Sequence, residues 1–195
     1  MPGEGQTWRV CLRVISVRGQ YDSMLRMRPA GSQDRDAVRE MISARCEWME
    51  ARGLSSWRPR LDDLVAQTDN PCGDVWVLER DGQVIGRTTL QADAPPPWGW
   101  TDAERAEPAL YLTTTLTDPG HRDVKPGTLI AWWAVGQAAE ADAAWVRRDC
   151  AFTGLAKYYQ SQGYDLIREA EFKGHRLFMM ARRAERLDLS DTFHR

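Results

Sequence analysis

Between Ala109 and Ala151 the chain reads strand, turn, helix, strand, and that order limits the fold more than any other feature. Ala109 to Thr117 is a run of strand formers, ended by the breaker Asp118-Pro119-Gly120. From Gly127 to Ala141, the residues Leu129, Ile130, Trp133, Ala134, Gln137 and Ala138 recur at helical spacing. Trp145 to Ala151 is strand again. A helix between two such strands is a crossover, which lays the strands parallel.

The flanking elements alternate less regularly. Met24 to Pro29 is a short strand. Ser32 or Asp34 can cap a helix in which Val38, Met41, Ile42, Cys46 and Met49 share a face, with Gly53 as its stop. Arg45 is the one break in that stripe; its stem can pack at the edge of the face. A shorter helix carries Leu61, Leu64 and Val65, and Asn70-Pro71 and Gly73 end it. Asp74 to Arg80 and Gln83 to Ala92 form a hairpin across Asp81-Gly82. Pro95 to Trp100 is a rigid loop, and Thr101-x-x-Glu104 is a capping box. Thr153 to Gln162 reads as a helix stopped by Gly163, and Tyr164 to Phe172 pairs with His175 to Ala184 across Lys173-Gly174. The pattern predicts an α/β fold: one mixed sheet of roughly six to seven strands flanked by about four helices.

At 195 residues the chain is the size of one domain. The domain is expected over residues 24–186, with a polar tail at 187–195. Residues 1–23 are read separately. Trp8, Val10, Leu12 and Val14 alternate with polar residues, so this stretch is either an extra edge strand or an unstructured leader before an internal start at Met24 or Met27. No apolar signal core appears there, and no run reaches the ~18–20 apolar residues of a membrane span. Cys11, Cys46, Cys72 and Cys150 form no C-x-x-C pair, and His121, His175 and His194 are scattered. These observations predict a cytoplasmic protein with no metal site and no disulfide framework. A net charge of −2 gives no basic field for nucleic acid or a membrane surface.

Two motifs carry chemistry. The first is Thr117-Asp118-Pro119-Gly120-His121-Arg122-Asp123-Val124-Lys125-Pro126-Gly127-Thr128, a strand end running through a tight loop into a helix. Backbone amides at such a helix start form a cradle for a pyrophosphate. The second is Tyr158-Tyr159-Gln160-Ser161-Gln162-Gly163-Tyr164. With the element order, these motifs resemble the GNAT superfamily of N-acetyltransferases over roughly residues 24–184. The family loop reads V-x-P-x-x-R-G-x-G-x-G/A. Pro119, Arg122 and Gly127 match it, Asp123 and Lys125 replace glycines, and Pro126 has no N–H to donate.

The resemblance implies acetyl-CoA as co-substrate, with no metal. It implies cofactor contacts along Thr115, Leu116 and Thr117 for the pantetheine arm and along Arg122, Asp123, Val124, Lys125, Gly127 and Thr128 for the phosphates. It makes Tyr159 the general acid for the departing thiolate. Tyr158, about 100° away around the helix, is then its control. The family asparagine seven residues before that tyrosine is Phe152 here, so its contact is absent or supplied by Thr153. The general base stays open: Glu107 just before the strand is the candidate carried forward, beside Glu104, Asp149 or a water relay.

The acceptor side is expected to involve the first two helices and the loop holding Trp98 and Trp100. Trp48 and Trp57 lie in a segment that resembles first-helix segments of actinobacterial members. The implied function is transfer of an acetyl group from acetyl-CoA to a primary amine of a small molecule or peptide. The alternatives are a non-catalytic acyl-CoA-binding or regulatory domain and a structural partner-binding domain. The expected partner is the amine acceptor, without nucleic acid or membrane, and a homodimer is left open.

Overall fold

The computed structural model describes residues 15–18, 24–92 and 98–189. Its strands are β1 (Ile15–Arg18), β2 (Met24–Pro29), β3 (Val75–Arg80), β4 (Gln83–Gln91), β5 (Ala109–Thr117), β6 (Trp145–Cys150), β7 (Asp165–Phe172) and β8 (His175–Arg183). They form one sheet in the order β1-β2-β3-β4-β5-β6-β8-β7. The α-helices are α1 (Arg35–Glu50), α2 (Leu61–Ala66), α3 (Asp102–Ala106), α4 (Pro126–Glu140) and α5 (Thr153–Gln160). The crossover makes β5 and β6 parallel, and every other neighbouring pair is antiparallel. The mixed α/β sheet read from the sequence is therefore present, with one strand more than the six to seven expected.

The added strand is β1. It pairs with β2 from Ile15↔Met27 to Arg18↔Met24, so the sheet begins before residue 24. The alternating segment Trp8 to Val14 lies outside the described residues. The strand that pairs is its C-terminal continuation.

The apolar periodicities sort the helices onto the two faces. On one face α4 buries Ile130, Trp133 and Ala134 against Trp76, Leu78, Ile85 and Leu112. Gly86 permits that approach, since a Cβ there would stand 3.0 Å from Ile130 Cδ1. On the other face α1 and α2 bury Val38, Ile42, Cys46 and Leu64 against Val75, Val77, Val84 and Leu116. A third cluster of Trp100, Tyr111, Leu177 and Met179 is covered by the segment from Trp98 to α3.

That segment is held by the capping box. Thr101 N–H donates to Glu104 Oε2 at 2.8 Å, and both Nη groups of Arg168 in β7 reach the same carboxylate at 2.6 and 2.5 Å. Hydrogen bonding from Arg168 is the largest cause that pulls the Glu104 carboxyl down to about 2 from its ordinary 4.5, with burial opposing it. A carboxyl depressed in the folded state contributes stability that is complete above the unfolded value and is lost as pH falls toward the folded one. The melting temperature is thus expected to fall between pH 4.5 and 2, and Glu104→Gln to flatten the fall. An identical acid profile in the variant would show that this tie contributes nothing.

Candidate active site

The site begins as an interruption in the sheet. β5 pairs with β6 only from Ala109↔Trp145 to Tyr111↔Arg147. Beyond Tyr111 the two strands diverge, and β5 from Leu112 to Thr117 keeps β4 as its strand neighbour on one side only. Its other edge presents backbone groups in the spacing an extended ligand can pair with.

The same stretch contains a β-bulge. Thr89 pairs with Thr113 and Arg87 with Leu116, so Thr114 and Thr115 together face Thr88. Thr114 takes φ 49°, a left-handed conformation that costs a β-branched residue on the order of 1–3 kcal/mol. Thr88 Oγ1 pins the bulge by bonding to Thr113 O at 3.1 Å and Thr115 Oγ1 at 2.8 Å. The extra residue reverses the alternation. Leu112 packs under α4, while Leu116, four residues on, packs under α1.

The strand leads into the loop before α4. Asp118 Oδ1 accepts from the Gly120 N–H at 2.7 Å and folds the turn. Lys125 occupies the left-handed region with φ 49° directly before the helix, and Pro126 starts α4 at a position that needs no N–H. Gly127 lies against α5: a Cβ there would stand 3.1 Å from Tyr158 Oη.

From the opposite face α1 contributes Arg45. Its Nε donates to Thr117 O at 2.7 Å and Nη2 to Thr117 Oγ1 at 2.5 Å. Burial pushes this guanidinium below its ordinary value; Asp118 opposes that shift and Arg122 adds to it. The break in the apolar stripe of α1 is therefore the residue that joins α1 to the end of β5. A lone arginine inside an otherwise apolar helix face was the available signal.

These elements enclose a cavity of about 550 Å³, within the ~300–1,000 Å³ range of small-molecule sites. Its walls include Thr115, Leu116, Thr117, Arg122, Lys125 and Gly127, six of the nine residues the resemblance pointed to. The side chains of the other three point elsewhere. Asp123 pairs with Arg80 at 2.8 Å. Val124 packs against the α4 core. Thr128 is buried, with its Oγ1 at 3.0 Å from Tyr158 Oη and 3.3 Å from Gln162 Nε2. On the acceptor side Trp48, Met49, Leu54 and Trp57 line the cavity. Phe152, the asparagine position, caps α5 and is 63% exposed.

Both tyrosines of α5 reach the cavity, which corrects the expectation that Tyr158 points away from it. Long side chains on adjacent positions lean toward the same opening, with ring centroids 5.9 Å apart. Tyr158 sits at the start of α4 through Thr128. Tyr159 is buried, with the Arg148 guanidinium 3.4 Å above its ring. Burial pushes the Tyr159 phenol up to about 12, with Arg148 opposing the shift.

Glu107 lies at the other end of β5. An extended strand rises about 3.3 Å per residue, so its Cα is up to roughly 26–33 Å from those of Thr115 to Thr117. There it forms an ion pair with Arg147, whose side chain is 2% exposed, and Arg147 also donates to Glu104 O. No carboxylate lines the cavity among the described residues. Glu107→Gln is expected to leave any turnover unchanged and to cost about 1–3 kcal/mol of stability by weakening the partner of a buried cation. Denaturant unfolding measures the second effect, and loss of turnover at unchanged stability would make Glu107 catalytic after all. Asp149, the other acid considered, accepts a hydrogen bond from Tyr111 Oη.

Among the described residues no group of His, Cys, Asp and Glu could hold a metal, and no helix is long and apolar enough to cross a membrane. No protein-family model and no curated protein matches the chain. Solved structures do. A GNAT-family acetyltransferase from Listeria monocytogenes aligns with TM-score 0.67 at 17% identity, over 87% of this chain and 99% of that one. The Salmonella typhimurium protein YncA, solved with its cofactor acetyl-CoA, aligns with TM-score 0.55 at 16% identity, over 84% and 96%. The PaiA N-acetyltransferase of Thermoplasma acidophilum, in complex with coenzyme A, aligns with TM-score 0.58 at 16% identity, over 82% and 98%. The likeness is one of architecture, and by that architecture the chain is a GNAT fold.

Proposed function

We propose that the protein is an acyl-CoA-dependent N-acyltransferase that moves an acetyl group onto a primary amine. The observation that carries this reading is the seam between β5 and β6, which opens onto a cavity walled by the loop before α4 and by two tyrosines of α5. The residues present fit a CoA ester. The free edge of β5 offers amides and carbonyls to an extended amide-bearing arm. Arg122 and Lys125 bring positive charge to the start of α4, where the helix dipole also favours phosphate. Acetyl-CoA, when bound, supplies the thioester. Tyr159 holds a proton at neutral pH and gives it to the departing sulfur. The acceptor enters past Trp48, Leu54 and Trp57. With no carboxylate in the wall, it reacts from its neutral fraction and loses its proton to water, so turnover rises with pH toward the amine's own pKa.

The same lack of a carboxylate favours a second reading, an acyl-CoA-binding regulatory domain. One experiment separates the two. Acetyl-CoA is titrated by calorimetry, and thiol release is then followed across amino acids, polyamines, aminoglycosides and peptide N-termini. Binding with release supports the transferase, and binding without release across the panel supports the regulatory domain. No binding at millimolar ligand overturns both.

A further inference from the structure

Arg122 of the phosphate loop faces side chains of α1 and the turn after it whose arrangement the loop and the tyrosines do not explain; Arg45, Trp48 and Arg122 line the cavity, and Arg52 stacks on Trp48. Trp48 of α1 is surrounded by three guanidinium groups: Arg52 at 4.1 Å, Arg45 at 5.1 Å and Arg122 at 5.5 Å from its ring centroid. Each arginine comes from a different place, α1, the turn after it and the loop before α4. Each is already bonded to a neutral oxygen: Arg45 to Thr117, Arg52 to Trp48 O and Arg122 to Pro119 O. None has a carboxylate within ion-pair distance among the described residues. The acid whose charge acts on Arg45 is Asp118, and its Oδ1 is taken by the Gly120 N–H. The Trp48 indole N–H is itself buried with no acceptor. Among the described residues Arg45 Nη1 also makes no hydrogen bond, although Arg45 lines the cavity.

The cluster is therefore made of donors and positive charge, and it lacks acceptors and negative charge. Three like charges around one ring repel one another, and Arg45 among them is partly withdrawn from water. The aromatic face offsets part of this repulsion. An oxyanion supplies both missing features at once. A planar guanidinium with a free edge is the side chain best shaped to bind a phosphate or carboxylate oxygen pair.

We propose that Arg45 and Arg52, beside Arg122 of the phosphate loop around Trp48, extend the positive charge of the α4 helix start into an oxyanion subsite on α1 and the turn after it, which selects a phosphate or carboxylate group on a ligand of this cleft. The inference rests on the reading of the cleft as an acyl-CoA site. The oxyanion belongs either to the CoA phosphates or to an acidic group on the acceptor amine. Either source makes α1 a part of ligand selection, and the acceptor source also gives a charge preference opposite to that of a site built for polyamines.

The test compares wild type with Arg45→Met and, because Arg45 also ties α1 to β5, with the exposed Arg52→Met. Melting temperatures confirm that the variants fold. Calorimetry gives affinities for CoA and for pantetheine, which lacks phosphate. Thiol release gives KM for an amino acid and for its carboxamide. A loss of about ten- to a hundredfold in CoA affinity in either variant, with pantetheine unchanged, assigns the oxyanion to the cofactor; that size is expected for a charge-assisted hydrogen bond. A comparable rise in KM for the amino acid alone assigns it to the acceptor. Unchanged values for both overturn the subsite. If wild type binds no CoA, the acyl-CoA reading fails by itself, and pyrophosphate titration then decides the subsite: tenfold weaker binding in the variants supports it, and equal binding overturns it.

Discussion

Replacing Tyr159 by phenylalanine is expected to lower acyl transfer by about 10²–10⁴-fold, the usual contribution of a positioned general acid. CoA affinity should stay within a few-fold. The ring is buried under the Arg148 guanidinium, and phenylalanine keeps that stack, so the substitution removes the hydroxyl and little else. Tyr158→Phe is the companion experiment. Its hydroxyl bonds to Thr128 at the start of α4, away from the Arg148 stack, and its loss should change the rate only a few-fold. Both rings line the cavity, so the pair decides which one faces the sulfur. A wild-type rate in Tyr159→Phe would rule Tyr159 out as the proton donor, and a large loss confined to Tyr158→Phe would place the donor one residue earlier in α5.

The second large effect is expected at the phosphate loop. Arg122→Ala combined with Lys125→Gly should weaken CoA binding by roughly a hundredfold or more, since each charged contact is worth about 1.5–3 kcal/mol and 1.4 kcal/mol is tenfold. Both side chains are exposed, so folding should survive. Glycine at position 125 also releases the left-handed strain that lysine bears there, which should hold or raise the melting temperature. Pantetheine, carrying no phosphate, should bind wild type and variant alike. CoA affinity that stays within threefold would show that the phosphates lie elsewhere.

The strand–turn–helix–strand unit was readable because its signals are local and periodic. The same holds for β5 at Ala109–Thr117 and for α4, which differs from the expected Gly127 to Ala141 by one residue at each end. The bulge was not readable. Thr113-Thr114-Thr115 looks like uninterrupted strand, and only the pairing with β4 shows that one residue too many lies opposite Thr88. Glu107 misled for a similar reason. Proximity in sequence to the central strand says nothing of which end of that strand a residue occupies, and Glu107 stands at the far one, beside Arg147. Arg45 was visible as an irregularity in α1. Its purpose depended on Thr117, seventy-two positions away, which helical spacing cannot reveal.

The open seam has a mechanical consequence. It divides the sheet into a leaf of five strands and a leaf of three, hinged by the short ladder between Ala109–Tyr111 and Trp145–Arg147. α4 lies across the hinge on one side, packing on both Leu112 and Val146. A ligand pairing along β5 would act as a splint between the leaves and leave fewer backbone groups to water. Without it, only that short ladder and the packing of α4 join the leaves, and any spreading about the ladder would widen the very gap a ligand must enter.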